Sequence, residues 1–136
     1  MRGDWFWLAF GLFAQHGIAE ELLFRGFTFG HLRAGRTFWR AAFLSLVPFV
    51  AVHLLLLTSL SLPLALASIS LAVASSLPFA YLFDRGHRTI WAPALLHFAA
   101  HAIKLVNILD AFYTPAALAW MATCAVVPYL VFLIQF

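Results

Sequence analysis

The stretch Ala41–Phe83, AAFLSLVPFVAVHLLLLTSLSLPLALASISLAVASSLPFAYLF, contains no Asp, Glu, Lys or Arg. A helix crosses the hydrocarbon core of a bilayer with about 20 apolar residues, so this run is too long for one crossing and must hold two. Thr58-Ser59-Leu60-Ser61 followed by Pro63 supplies the turn between them and a start for the second, because proline is tolerated in the first turn of a helix. The flanks then predict a helix from Thr37 to about Leu57, kinked at Pro48, and another from Pro63 to about Phe83.

Working outward, Trp5 to Gly30 is mostly apolar but interrupted by Gln15, His16, Glu20, Glu21 and Arg25, which reads as a polar-striped membrane helix. A secretory signal fits poorly, since a pair of carboxylates stands where its apolar core would be. His31 to Arg36 reads as a basic loop. On the other side, Asp84-Arg85-Gly86-His87-Arg88-Thr89 offers Gly86 for a turn and Thr89 as an N-cap, with Pro93 in the first turn of a fourth helix reaching about Leu109. Asp110 to Thr114 then makes a short connection, and Pro115 opens a fifth helix ending near Phe136. The expected fold is an all-α, polytopic membrane helix bundle of about five transmembrane helices, a single membrane-embedded domain over residues 1–136.

Composition agrees with that expectation. Hydrophobic residues make up 65% of the chain and charged residues 10%, against about 25% charged in soluble domains, which excludes a soluble globular protein. The net charge of +3 comes without a dense basic run, so it points to loops beside a membrane and not to nucleic acid. Cys124 is the only cysteine, which excludes an internal disulfide framework and leaves a small packing residue. Arg33, Arg36 and Arg40 fall between the first two helices, and Arg85 and Arg88 between the third and fourth. By the positive-inside rule, loops 31–40 and 84–90 are expected to be cytoplasmic, on the same side because two crossings separate them. Trp39, Tyr81 and Trp91 would mark that interface, with Trp5, Trp7, Tyr113 and Trp120 near the opposite one.

Ionisable groups in hydrocarbon are costly unless paired or facing a cavity, so each one inside a span is a functional candidate. Glu20, Glu21, His53, His97, His101 and Lys104 all qualify, on three helices. At 1.5 Å per residue Glu20 lies roughly 15 Å from its helix end, His97 about 10 Å and His53 about 20–24 Å, depths that converge if tilt and the Pro48 kink close the gap. Glu21 and Arg25, four apart, predict an ion pair of structural purpose. Glu20 has His16 as its i−4 neighbour and is a candidate general base, His16 being expected as a buried histidine with one hydrogen bond. Phe49 and His53 share a face, so the ring can fix the direction of the imidazole. His97 and His101 form a stacked pair whose role spacing leaves open: ligands, hydrogen-bond donors or partners of each other. Lys104 continues their stripe and is expected to snorkel outward.

Glu20-Glu21-Leu22-Leu23-Phe24-Arg25, then Phe49 and His53 as FxxxH, then His97 on the helix opening Ile90-Trp91-Ala92-Pro93, resemble the CAAX protease and bacteriocin-processing (CPBP) family of intramembrane endopeptidases, which includes type II CAAX prenyl proteases. The resemblance runs over about Gly17 to Asn107, with the motifs in order on separate helices. It implies that Glu20 and His53 activate water for attack on a peptide carbonyl of a membrane-associated protein or peptide, and that His97 helps bind the oxyanion. It implies no cofactor, zinc being the alternative. The third family motif usually ends in Asn or Asp, where this chain has His101, and imidazole N–H can still donate there. Relatives commonly carry further helices before the first motif, so the chain is expected to be a compact member or a fragment. Two other readings carry weight: a catalytically silent relative acting in bacteriocin immunity or as a membrane scaffold, and a metal or b-type haem protein ligated by His16, His53, His97 and His101.

Overall fold

The computed structural model describes residues 2–134, and every regular element among them is helical. The first helix, α1, spans residues 5–33 and changes character along its length. It is α-helical over Trp5–Leu12, π-helical over Phe13–Ala19 and Leu22–Phe29, and α-helical again over Gly30–Arg33. The expected stop at Gly30 is therefore displaced. Ala34 turns extended and Gly35 adopts φ 76°, a left-handed value that glycine reaches without a Cβ clash, so Gly35 ends the helix. The wide turns bond i to i+5, and the Thr28 hydroxyl donates to the Leu23 carbonyl five residues back at 2.9 Å.

Helix α2 spans Phe38–Thr58, close to expectation. Thr37 caps it by accepting from the Arg40 N–H at 3.4 Å, the chain passes through Pro48, and its last turn, Leu54–Thr58, tightens to 3-10 geometry. Helix α3, Leu62–Arg85, has Pro63 in its first turn and Pro78 in its interior. It stops at Gly86, where a Cβ would stand 2.6 Å from the Leu82 carbonyl oxygen. The left-handed positions of the turn fall on His87 and Arg88, at φ 54° and 59°. Thr89 is not the N-cap of the next helix: its hydroxyl donates back to the Gly86 carbonyl at 3.0 Å, and Ile90 takes the cap position.

Helix α4 covers Trp91–Ala100, followed by a 3-10 turn over Ala102–Leu105, and stops short of the expected Leu109. The indole N–H of Trp120 donates to the Ala100 carbonyl at 2.9 Å, satisfying a group that a longer helix would have bonded internally. Helix α5, Asp110–Leu133, begins before Pro115, which lies inside it. Asp110 in the first turn complements the positive end of the helix dipole. Its C-terminal part, Val127–Leu133, is 3-10, and the expected end near Phe136 lies outside the described residues.

The five helices form a bundle in which α3 packs against α2, α4 and α5, while α1 lies against α2 and α4. Among the described residues α2, α3 and α5 are long and apolar enough to cross a membrane. One apolar cluster joins Phe29, Ala41, Ala42, Ala80 and Phe83; a second joins Phe24, Phe49 and Ala72. Alanines at these contacts let the backbones approach closely, as membrane helices require. Large apolar side chains such as Trp7, Phe10, Val47, Leu55 and Leu133 face outward, where lipid would solvate them. Arg33 Nε lies 3.2 Å from Asp84 Oδ2, so the two arginine-bearing loops meet at one end of the bundle. The Tyr81 and Phe132 rings, 4.7 Å apart, bring the end of α5 to that same end. At the other end the Arg2 N–H donates to the Leu105 carbonyl at 3.2 Å.

Candidate active site

Four helices deliver side chains to one region, three of them polar ones. Helix α1 contributes His16, Glu20, Glu21 and Arg25, with Glu20 and Glu21 sitting between its two π-helical stretches. Helix α4 and its end contribute His97 and His101, α2 contributes Phe49 and His53, and α3 contributes Phe79. Gly17 permits the closest approach of α1 to α4: a Cβ there would stand 3.1 Å from the Ala94 carbonyl oxygen and 2.8 Å from the Phe13 ring. Ala94 precedes His97 by three residues, so this contact sets how far the imidazole reaches toward the glutamates.

Glu21 is completely buried and Arg25 is 2% exposed. Glu21 Oε1 accepts from Arg25 Nη1 at 3.0 Å and from His97 Nδ1 at 2.7 Å. The guanidinium lies over the Phe49 ring at 4.4 Å and the Phe79 ring at 5.2 Å, so its charge is met by a carboxylate and by two aromatic faces. The structural ion pair expected between Glu21 and Arg25 is present. It also does something spacing alone did not disclose: it fixes His97. With Nδ1–H committed to a carboxylate, the ring presents Nε2 toward Glu20, 3.8 Å from its Oε2.

Glu20 differs from its neighbour in exposure and partners. Its side chain is 22% exposed, and Oε1 accepts from His16 Nδ1 at 2.6 Å. Oε2 is buried and has no hydrogen-bond partner among the described residues. The His16 ring stacks on His101 with centroids 3.8 Å apart and planes 20° apart, and His101 in turn lies 5.5 Å from His97. His53 donates Nδ1–H to the Phe49 carbonyl at 2.7 Å, with the Phe49 ring 4.5 Å from its own. That bond fixes the neutral tautomer with a lone pair on Nε2.

Glu20, His53, His97 and His101 all line one cavity of about 540 Å³, together with His16 and Phe49. The rest of its wall is mainly aliphatic, from residues such as Leu23, Val52, Leu56, Leu64 and Met121. Lys104, expected to snorkel outward, is exposed and borders this same cavity. All the residues singled out from the sequence are thus brought to one centre, including His53, whose depth matched the others only loosely. The four-histidine set separates: donor atoms of His16, His97 and His101 lie within 4.8 Å of one another, and His53 is not in that group. Phe79 and Gly17 were not anticipated. Nothing marked Phe79 among fifteen phenylalanines, whereas Gly17, on a helix face beside a polar stripe, carried the signal of a close helix approach.

Two adjacent carboxylates, four imidazoles and a buried guanidinium enclosed by membrane-type helices define a candidate intramembrane hydrolase centre. The family model described as Type II CAAX prenyl endopeptidase Rce1-like matches residues 2–103, most of the chain, and the chain belongs to that family. It is accordingly a helical membrane protein of a protease family. No curated protein and no solved structure gave a significant match.

Proposed function

We propose that the protein is an intramembrane endopeptidase that hydrolyses a peptide bond of a membrane-associated protein or peptide with a water activated by Glu20 and His53. The observation that carries this reading is the asymmetry of the glutamates: Glu20 lines the cavity and Glu21 is buried behind it. Glu21 Oε1 is committed to Arg25 and His97, and although each glutamate keeps an unpartnered Oε2, only Glu20 presents its carboxylate to the cavity, beside an imidazole.

In the proposed sequence Glu20 Oε2 takes a proton from water, and the oxygen attacks the scissile carbonyl carbon. His53 Nε2, its tautomer fixed by Phe49, accepts the second hydrogen bond of that water and orients it. The developing oxyanion is met by His97 Nε2–H. Because Nδ1–H is already donated to Glu21, donation from Nε2 uses the doubly protonated ring. His101 Nε2 or Nδ1 offers a second donor. Collapse of the intermediate breaks the C–N bond, and the proton held by Glu20 passes to the leaving amine. No metal enters these steps, and none is needed to balance them. The largely aliphatic wall suits an apolar segment of the substrate.

The test is a comparison of membrane-protein C-termini in cells with and without the chain. New C-termini that appear only with the chain support the reading. Unchanged C-termini at verified expression would refute it and favour a silent relative with a structural polar centre.

We further propose that loops 31–40 and 84–90 face the cytoplasm, with the N-terminus outside and the C-terminus inside. The motive is their meeting through Arg33 and Asp84 at the arginine-bearing end. With Cys124 replaced, single cysteines at Ala34 and Thr89, both in the loops, should resist an impermeant maleimide in intact cells and react after permeabilisation. Labelling of either in intact cells would reverse the orientation.

A further inference from the structure

The imidazole cluster contains more nitrogen than the hydrolytic reading uses. His16 sits one turn before Glu20, and His101 stacks on it from the end of α4 at 3.8 Å. We propose that His16, His97 and His101 form a binding site for one divalent transition-metal ion of the zinc class, closed by Glu20 Oε2, and that the bound ion silences hydrolysis at this centre. The binding half stands on geometry alone; the silencing half rests on the function proposed above.

The donor atoms are gathered in one place. One ring nitrogen from each of the three histidines lies within 4.8 Å of the other two. His97 gives Nδ1 to a carboxylate outside the proposed ligand set, Glu21, at 2.7 Å. This carboxylate–histidine pairing orients a metal-binding imidazole, fixes the tautomer that leaves Nε2 as the lone-pair nitrogen, and raises its basicity. A fourth donor is adjacent, since Glu20 Oε2 is buried, unpartnered and 3.8 Å from His97 Nε2. Imidazole nitrogen selects zinc, copper, nickel or cobalt over magnesium and calcium, which prefer oxygen.

A tetrahedral ion with bonds of about 2.0–2.1 Å needs donors roughly 3.4 Å apart, so the cluster must contract. Rotation of the stacked His16 and His101 rings, with His16 Nδ1 leaving Glu20 Oε1, is the movement the proposal requires. Four protein ligands leave no position for water, which is the mark of a closed zinc site and not of a catalytic one. The ion would also occupy Glu20, the proposed base, and His97, the proposed oxyanion donor. Metal binding and hydrolysis therefore compete for the same atoms.

The experiment uses the full chain in detergent, purified on a tag without histidine, stripped with chelator and titrated with Zn²⁺ by calorimetry and with Co²⁺ by visible absorption. The expected result is one ion per chain, with the intense cobalt bands of four-coordinate geometry. His16→Ala and His101→Ala should each weaken binding by at least about tenfold while helical circular dichroism is unchanged; His101→Asn and His16→Gln serve where an alanine variant does not fold. Zn²⁺ should lower proteolysis in proportion to occupancy, and chelator should restore it. Absence of saturable binding, or binding indifferent to both His16 and His101, overturns the site. Saturable binding that raises proteolysis overturns the silencing and moves the chemistry to the zinc class. A chain that cleaves nothing under any condition defeats the proposed function, yet the calorimetric and cobalt titrations still decide the site.

Discussion

Glu20→Gln is expected to lower peptide hydrolysis by about 10²–10⁴-fold, the usual contribution of a positioned general base. The argument rests on what the amide retains. Its carbonyl can still accept from His16 Nδ1–H, now 2.6 Å from Glu20 Oε1, and its volume leaves the cavity wall unchanged. What it cannot do is take a proton from water. The side chain faces a cavity and is not locked into the buried ion pair, so thermal unfolding should stay close to wild type. Product formation by mass spectrometry at matched protein concentration is the measurement. Retained activity in Glu20→Gln, together with a folded but inactive Glu21→Gln, would exchange the assignments of the two glutamates.

Glu21→Gln should instead fail by unfolding. Arg25 is 2% exposed and has Glu21 as its carboxylate partner, at 3.0 Å. Removing one member of a buried pair leaves an uncompensated charge and typically costs about 3–5 kcal/mol. The Phe49 and Phe79 faces offset part of that loss but cannot replace a carboxylate. His97 would lose the acceptor that orients it, so surviving folded protein should also be impaired. Thermal unfolding in detergent checks the first effect, and Arg25→Met in the Glu21→Gln background should recover part of the lost stability by removing the stranded charge. A melting curve indistinguishable from wild type would mean that water or another residue compensates Arg25.

The contrast between these neighbours shows where sequence reading succeeded and where it stopped. The charge-free run from Ala41 to Phe83 announced two helices because hydropathy is read residue by residue, and α2 and α3 lie within a residue or two of that reading. The Glu21–Arg25 pair was legible because it is local, four positions apart on one helix. The bond from His97 to Glu21 was not, since it joins residues far apart in sequence and depends on how closely α1 and α4 approach at Gly17. Boundaries failed where a backbone event replaced a residue signal. Gly35 and not Gly30 ended α1, and α4 ended at Ala100, whose carbonyl accepts from a tryptophan of α5. The π-helical stretches that bracket Glu20 and Glu21 have no signature in residue type at all.

The early end of α4 has a consequence for the lipid around the protein. Its α-helical part is about 15 Å long and its 3-10 extension about 8 Å, against a hydrocarbon thickness of about 30 Å. A shortfall of that size is met by local thinning of the bilayer or by polar groups reaching to the surface, at a fraction of a kcal/mol per ångström. Lys104 and the backbone from Val106 onward stand at that depth, next to the cavity that holds Glu20. Local thinning of the membrane is therefore expected on the side where α4 falls short, and the width of the surrounding bilayer would become a variable of the site's hydration.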